Sequence, residues 1–316
     1  MKYAKNVQNN WNSFIIVPQG HNNCQLSIVN CQFGEAAKFQ FLALSKIKLP
    51  GAWAERSAME RIRDQKASGL NSNGLRTWAT VFLALGIVGR SILQNRILCL
   101  GQMSPMELLE AMQSSRTVMI LATAALVLQA LETCAVPIFA FLLVEGASHT
   151  ANLPQYILRV AFTALVSEIP YNLAMSGTLL DFSSRNPVFG SVIGLLMLWF
   201  YRYWEGKTLP RVLIRVAVTL AAMLWCIMLS VSFGPALLLI LAVLWALREK
   251  PMLRSMAGAM AALVCSVGSL FYMASPMGFL AVHFYNGEKG TDNRTVSYLA
   301  YPVLLLAVWA VGVLIL

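Results

Sequence analysis

The sequence predicts an all-α protein, a polytopic membrane helix bundle of about nine transmembrane helices with its N-terminus in the cytoplasm. Three observations predict it. The 316 residues are 58% hydrophobic and only 12% charged, with a mean hydropathy of +0.63, more apolar surface than a soluble domain hides. Apolar runs long enough to cross hydrocarbon recur along the chain. The basic residues, 24 against 14 acidic, gather in alternate connecting segments, as the positive-inside rule requires.

Residues 1–70 form a polar N-terminal extension in which NVQNNWNS and GHNNCQ match no packed element. Trp53 to Lys66 reads as a weak amphipathic helix, with Trp53, Met59 and Ile62 apolar and Arg56, Arg61, Arg63 and Lys66 basic. Such a segment lies on a membrane surface or forms a disordered tail; both readings stay open. Met59 is a second candidate start, with the residues before it an extension. No apolar stretch near the terminus is followed by a small-residue cleavage site, so no signal peptide is expected.

The spans read as 77–95, 117–146, 157–175, 187–203, 210–231, 234–248, 255–272, 275–285 and 297–316. The second is long enough for one tilted helix or two short ones broken near Glu132. Charge decides between them. With nine spans and a cytoplasmic N-terminus, the cytoplasmic segments hold ten basic residues up to Arg76, then Arg159, four from Arg202 to Arg215, three from Arg248 to Arg254, and Lys289 and Arg294. Only Arg90, Arg96, Arg116 and Arg185 fall outside. Splitting the second span would reverse the later loops, so one long helix is expected. The eighth span begins at Ser275–Pro276 and reads as a half-helix. The net charge of +10 therefore records topology; no nucleic acid is expected as a partner, and the lipid bilayer is.

The stretch Ala135 to Tyr171 organises the chain. An apolar helix containing Pro137 runs into the polar corner EGASHT, Glu145 to Thr150, and a second apolar helix leaves it with Glu168 roughly 16 Å into the span. Carboxylates in apolar spans face the protein interior or a wet cavity. Asn172 or Arg159 is the expected partner of Glu168. Arg90 and Glu132 fall at comparable depths and are expected to form one buried ion pair. Asn286, Gly287 and Gly290 make an N-G-x-x-G turn flanked by Lys289 and Arg294. It reads as an ordinary tight turn between helices or as a backbone nest for an anion. Arg202, Lys207, Arg211 and Arg215 read as topology signal, and Tyr201, Tyr203 and Trp204 as an interfacial belt. The six cysteines are scattered without paired spacing and read as small hydrophobes, so no metal is expected.

PIFAFLLVEGASHT, SEIPYNLAMSG, and FYNGEKG followed by SYLAYPVLLL resemble the TraX family over about residues 75–316, in the same order and spacing, with looser similarity to other membrane acyltransferases. The resemblance implies a multi-span inner-membrane protein that takes an acyl group, acetyl as the first expectation, from cytosolic acyl-CoA. Acetyl-CoA is the donor it implies, and a pilin-like protein N-terminus or an envelope glycan the acceptor. In that chemistry a base must take the acceptor's proton. His149 is the best placed of three histidines, with Glu145 four residues earlier to orient it. Glu168 would be a cavity carboxylate, and Asn286, Gly287, Lys289, Gly290 and Arg294 would hold the donor's phosphates.

The chain departs from the family pattern at several titratable positions. Gly86 and Ile87 stand where an Asp-His pair is usual, Thr133 for an Arg, Ser232 for an acid, Leu304 or a neighbour for a His, and Asn172 for an acid. A non-catalytic relative that keeps the frame is the second reading. A transporter built on Glu132, Glu168 and a helix broken at Pro276 is the third.

Overall fold

The computed structural model describes residues 15–19, 23–27, 69–99, 105–206, 208–288 and 294–315. The chain divides into two compact units, Met1–Asp64 and Gln65–Leu316. In the first, β1 (Ile15–Gln19) pairs antiparallel with β2 (Asn23–Ser27), in a register that sets Ile15 against Ser27. The polar stretch expected to form no element thus carries a hairpin. The expected amphipathic helix Trp53 to Lys66 lies outside the described residues.

The second unit is helical. Its helices are α1 (Ser72–Val88), α2 (Pro105–Ser114), α3 (Arg116–Thr133), α4 (Ala135–His149), α5 (Leu153–Met175), α6 (Val188–Tyr203), α7 (Leu209–Met228), α8 (Gly234–Ala246), α9 (Pro251–Val264), α10 (Gly278–His283) and α11 (Arg294–Ile315). Each apolar run read from the sequence is helical. Three helical stretches are long and apolar enough to cross a membrane, Ser72–Ile97, Arg116–His149 and Leu209–Met228, and shorter apolar helices accompany them. Helix α2 was not foreseen. The half-helix expected from Ser275 is shorter still, a 3-10 stretch Leu270–Met277 leading into the six residues of α10.

Local sequence explains the principal boundaries. The Asn71 side chain caps α1 by accepting from the Gly74 amide at 2.8 Å, and α1 runs on as a π-helix over Gly89–Ile97. Helices α3 and α4 form one 34-residue stretch, as the charge argument requires, with an irregular turn at Cys134. Pro137 has no N–H to return to the Thr133 carbonyl. The Cys134 amide bonds Leu131 O at 3.0 Å instead, and Thr133 Oγ1 donates to Ala130 O and Phe271 O. Gly278 packs onto this turn so closely that a Cβ there would lie 2.2 Å from Cys134 O.

Helix α8 is apolar all round and sits at the centre, with Leu238, Ile240, Leu241 and Leu244 fully buried. That pattern marks an interior helix. Helix α7 is its opposite. Only Thr219 and Cys226 are buried, while Leu213, Leu220 and Trp225 are more than half exposed. A helix this apolar on its outward face belongs to a membrane protein. Tyr201 is no part of an interfacial belt: it is buried and bonded to Thr219 and to Arg215 O. Tyr203 and Trp204 are exposed beside it.

Candidate active site cavity

A cavity of about 770 Å³ runs through the helical unit, within the range of small-molecule sites. Its lining residues on α3 and α4 extend from Glu132 to His149, about 25 Å at 1.5 Å per residue. Ser72 and Arg76 of α1, Glu145, Gly146 and His149 of α4, and Gly287 line one end. Glu132, Leu83, Val136, Ser232, Phe233 and Tyr301 line the other. The walls between are mostly apolar, with Phe139, Leu142 and Leu143 from α4 facing Tyr156 and Val160 from α5, and Arg159 and Thr163 of α5 among them.

The rim is built around Glu145. Arg254 of α9 donates to Glu145 Oε1 at 3.0 Å and lies over the Phe141 ring, 4.7 Å from its centroid. Glu145 Oε2 is 3.3 Å from His149 Nδ1, and the Glu145 carbonyl accepts from the same nitrogen at 2.9 Å. A proton on Nδ1 is donated to the Glu145 carbonyl with the carboxylate close by, which leaves Nε2 as the basic nitrogen. The His149 side chain is 78% exposed. Gly146 admits Tyr156, whose hydroxyl would come within 3.0 Å of a Cβ at that position.

The segment entering α1 ties down the turn at 284–288. Leu70 bridges Tyr285 in parallel, with Leu70 N donating to Phe284 O at 2.7 Å and Asn286 N to Leu70 O at 2.9 Å. The Asn286 side chain is spent on this scaffold: Nδ2 donates to Gly69 O at 3.3 Å and Oδ1 accepts from Glu288 N at 2.9 Å. Asn286 is therefore a structural clamp. Gly287, at φ +83° where other residues are strained, faces the cavity. Lys289 and Gly290 lie outside the described residues, as does the side chain of Arg294.

Glu168 stands apart from this rim. Its partner is neither Asn172 nor Arg159. Arg185 Nη1 donates to Oε1 at 3.0 Å, and the Asn186 amide to Oε2 at 3.4 Å. Arg185 is in turn stacked on Phe182 and bridged to Val231. Glu168 is absent from the residues lining the cavity; it fastens the loop between α5 and α6. The expected pair of Arg90 and Glu132 is present, with Glu132 buried and Arg90 partly so. Gly86 makes room for it, since a Cβ there would sit 2.2 Å from that of Glu132. Glu132 Oε2 has no hydrogen-bond partner among the described residues.

Of the remaining basic groups, Arg211 donates to Glu205 O and Arg215 to Gly206 O, closing the loop before α7, and Lys207 lies outside the described residues. His283 is exposed at the end of α10, against Phe284; His21 lies outside the described residues. The described residues contain no group of His, Cys, Asp and Glu able to hold a metal. Sequence reasoning missed Arg254, the group that fixes Glu145, and Tyr156 and Tyr285 on the cavity wall.

A family model described as TraX protein matches residues 107–312. No curated protein and no solved structure matches the chain.

Proposed function

The chain belongs to the TraX family, and from that membership we propose that it is a membrane-bound acyltransferase, with acetyl-CoA as the donor and a protein N-terminus or an envelope glycan as the acceptor. It crosses the inner membrane with nine spans and a cytoplasmic N-terminus, so that the Glu145–His149 rim meets cytosolic acyl-CoA. The observation that carries the reading is the histidine on the rim of a large, mostly apolar cavity, its Nδ1 held by Glu145 and its Nε2 left basic.

In this reaction His149 Nε2 takes the proton of the acceptor amine or hydroxyl as its nitrogen or oxygen attacks the thioester carbonyl. The new bond to carbon forms, the carbon–sulfur bond breaks, and the thiolate leaves with the proton returned by the imidazolium. Glu145, fixed by Arg254, orients the ring and offsets its positive charge. Arg76 and the Gly287 turn, with Lys289, Gly290 and Arg294 beside it in sequence, receive the donor's phosphates. Glu168 serves the frame.

His149→Ala in proteoliposomes supplied with labelled acetyl-CoA should slow transfer by about 10²- to 10⁴-fold, while Glu168→Gln should leave the chemical step unchanged. An unaltered rate in His149→Ala removes the histidine from the mechanism. One observation favours the second reading, a non-catalytic membrane relative: Gly86 is packed against Glu132, so α1 offers no acid where the family pattern has one. Absence of acyl-CoA binding by the purified protein would favour it.

A further inference from the structure

A second hollow, of about 360 Å³, lies between α5 and α11. Phe162, Val166 and Leu299 on its walls are 68%, 41% and 49% exposed, so it opens on the outer surface of the helical unit, which in a membrane is hydrocarbon. Arg159, Thr163 and Tyr298 line both this groove and the main cavity. Those three side chains form the wall that the two spaces share.

Arg159 gives the junction its chemistry. It lies six residues into α5, about 9 Å from the start of the helix, and Val166 is about 10 Å further along. Among the described residues no carboxylate pairs with its exposed guanidinium. At the cytoplasmic end of the span an arginine stands at the level of lipid head groups, and guanidinium matches phosphate in geometry as well as charge.

We infer that the groove is the docking site of an anionic lipid from the bilayer, with its phosphate on Arg159, its hydrocarbon tail along Phe162, Val166 and Leu299, and its polar head directed past Thr163 and Tyr298 into the main cavity. The charge is at the end nearest the rim and the apolar wall runs toward the middle of the helices, the order in which a lipid presents phosphate and tail. Taken with the acyltransferase reading, on which this last step rests, the acceptor is a head group delivered on a lipid carrier and the groove is its side door.

The full chain in phosphatidylcholine nanodiscs, doped with a phosphatidylglycerol whose tail bears a photoreactive diazirine, tests the docking without any acyl donor. Crosslinks should concentrate in 159–166 and 298–302, fall about fivefold in Arg159→Gln, recover in Arg159→Lys, and stay unchanged in Arg202→Gln. Leu299→Trp, which fills the groove and keeps the charge, should reduce them as well. Crosslinks that are unchanged in Arg159→Gln, that fall equally in Arg202→Gln, or that follow general exposure on α7 would overturn the site. Crosslinking as expected in a protein without acyl transfer would retain the lipid site and remove the enzymatic reading; transfer without localised crosslinks would do the reverse.

Discussion

Glu145 and Glu168 are both carboxylates of apolar helices, and each accepts from an arginine at 3.0 Å; what differs is the use of the second oxygen. At Glu168 it receives a backbone amide of the α5–α6 loop, so the carboxylate is committed to holding the chain. At Glu145 it faces a histidine at the rim of the cavity. The same ion pair is a fastener at one end of the helical unit and a handle at the other. A buried carboxylate is thus weak evidence of chemistry until its remaining acceptor is traced.

The strongest challenge to this contrast comes from the third pair. Arg90→Ala leaves Glu132 charged and unmatched in the interior and should cost about 3–5 kcal/mol, read as a collapse of thermal stability in detergent. A mild effect would mean that the interior is wetter than its burial indicates. Next, Arg254→Gln releases Glu145 from its anchor. Transfer should fall by up to about 10²-fold through misplacement of the imidazole, with the melting temperature little changed. A rate that holds while stability collapses would make Glu145 another fastener.

Removing charge from the two carboxylates sharpens the comparison directly. Glu168→Gln should cost about 1–3 kcal/mol, because a charged hydrogen bond to a buried amide is lost. Glu145→Gln, at a part-buried pair whose amide can still accept from Arg254, should cost less. Equal losses would erase the distinction. The smallest effect belongs to Asp181, in the loop that Glu168 fastens. The Ser183 amide donates to its carboxylate at 2.9 Å and holds it below the usual carboxylate range. Its stabilising effect is therefore present above the unfolded pKa, about 3.9, and is lost as pH falls through the lower folded value. The melting difference between wild type and Asp181→Ala should be visible at pH 7 and shrink as acid protonates the carboxylate.

The helices were legible because hydropathy along one segment is a local property, and the long α3–α4 stretch because its apolar run continues for about 30 residues. The buried Arg90–Glu132 pair followed from depth alone. Other features were hidden for physical reasons. Arg254 is 109 positions from Glu145, and nothing local distinguishes it from an interfacial cation that sets topology. Arg185 was overlooked for Glu168 because Asn172, one turn away, offered a nearer partner. Helix α2 had a signal, Ser104-Pro105-x-Glu107, which has the form of a capping box. The hairpin had one too, the β-branched run Ile15–Val17 before a short glycine-containing link, masked by the polar composition around it.

The tie between the start of α1 and the turn at 284–288 joins groups 217 positions apart. A ribosome delivers one long before the other. Between the two the chain therefore carries its earlier helices with this end of the cavity unfinished, and the tie forms only once the turn at 284–288 has emerged. A chain stopped short of Phe284 would lack both this tie and helix α11, which packs along α5, so this end of the cavity is the part of the helical unit that closes late.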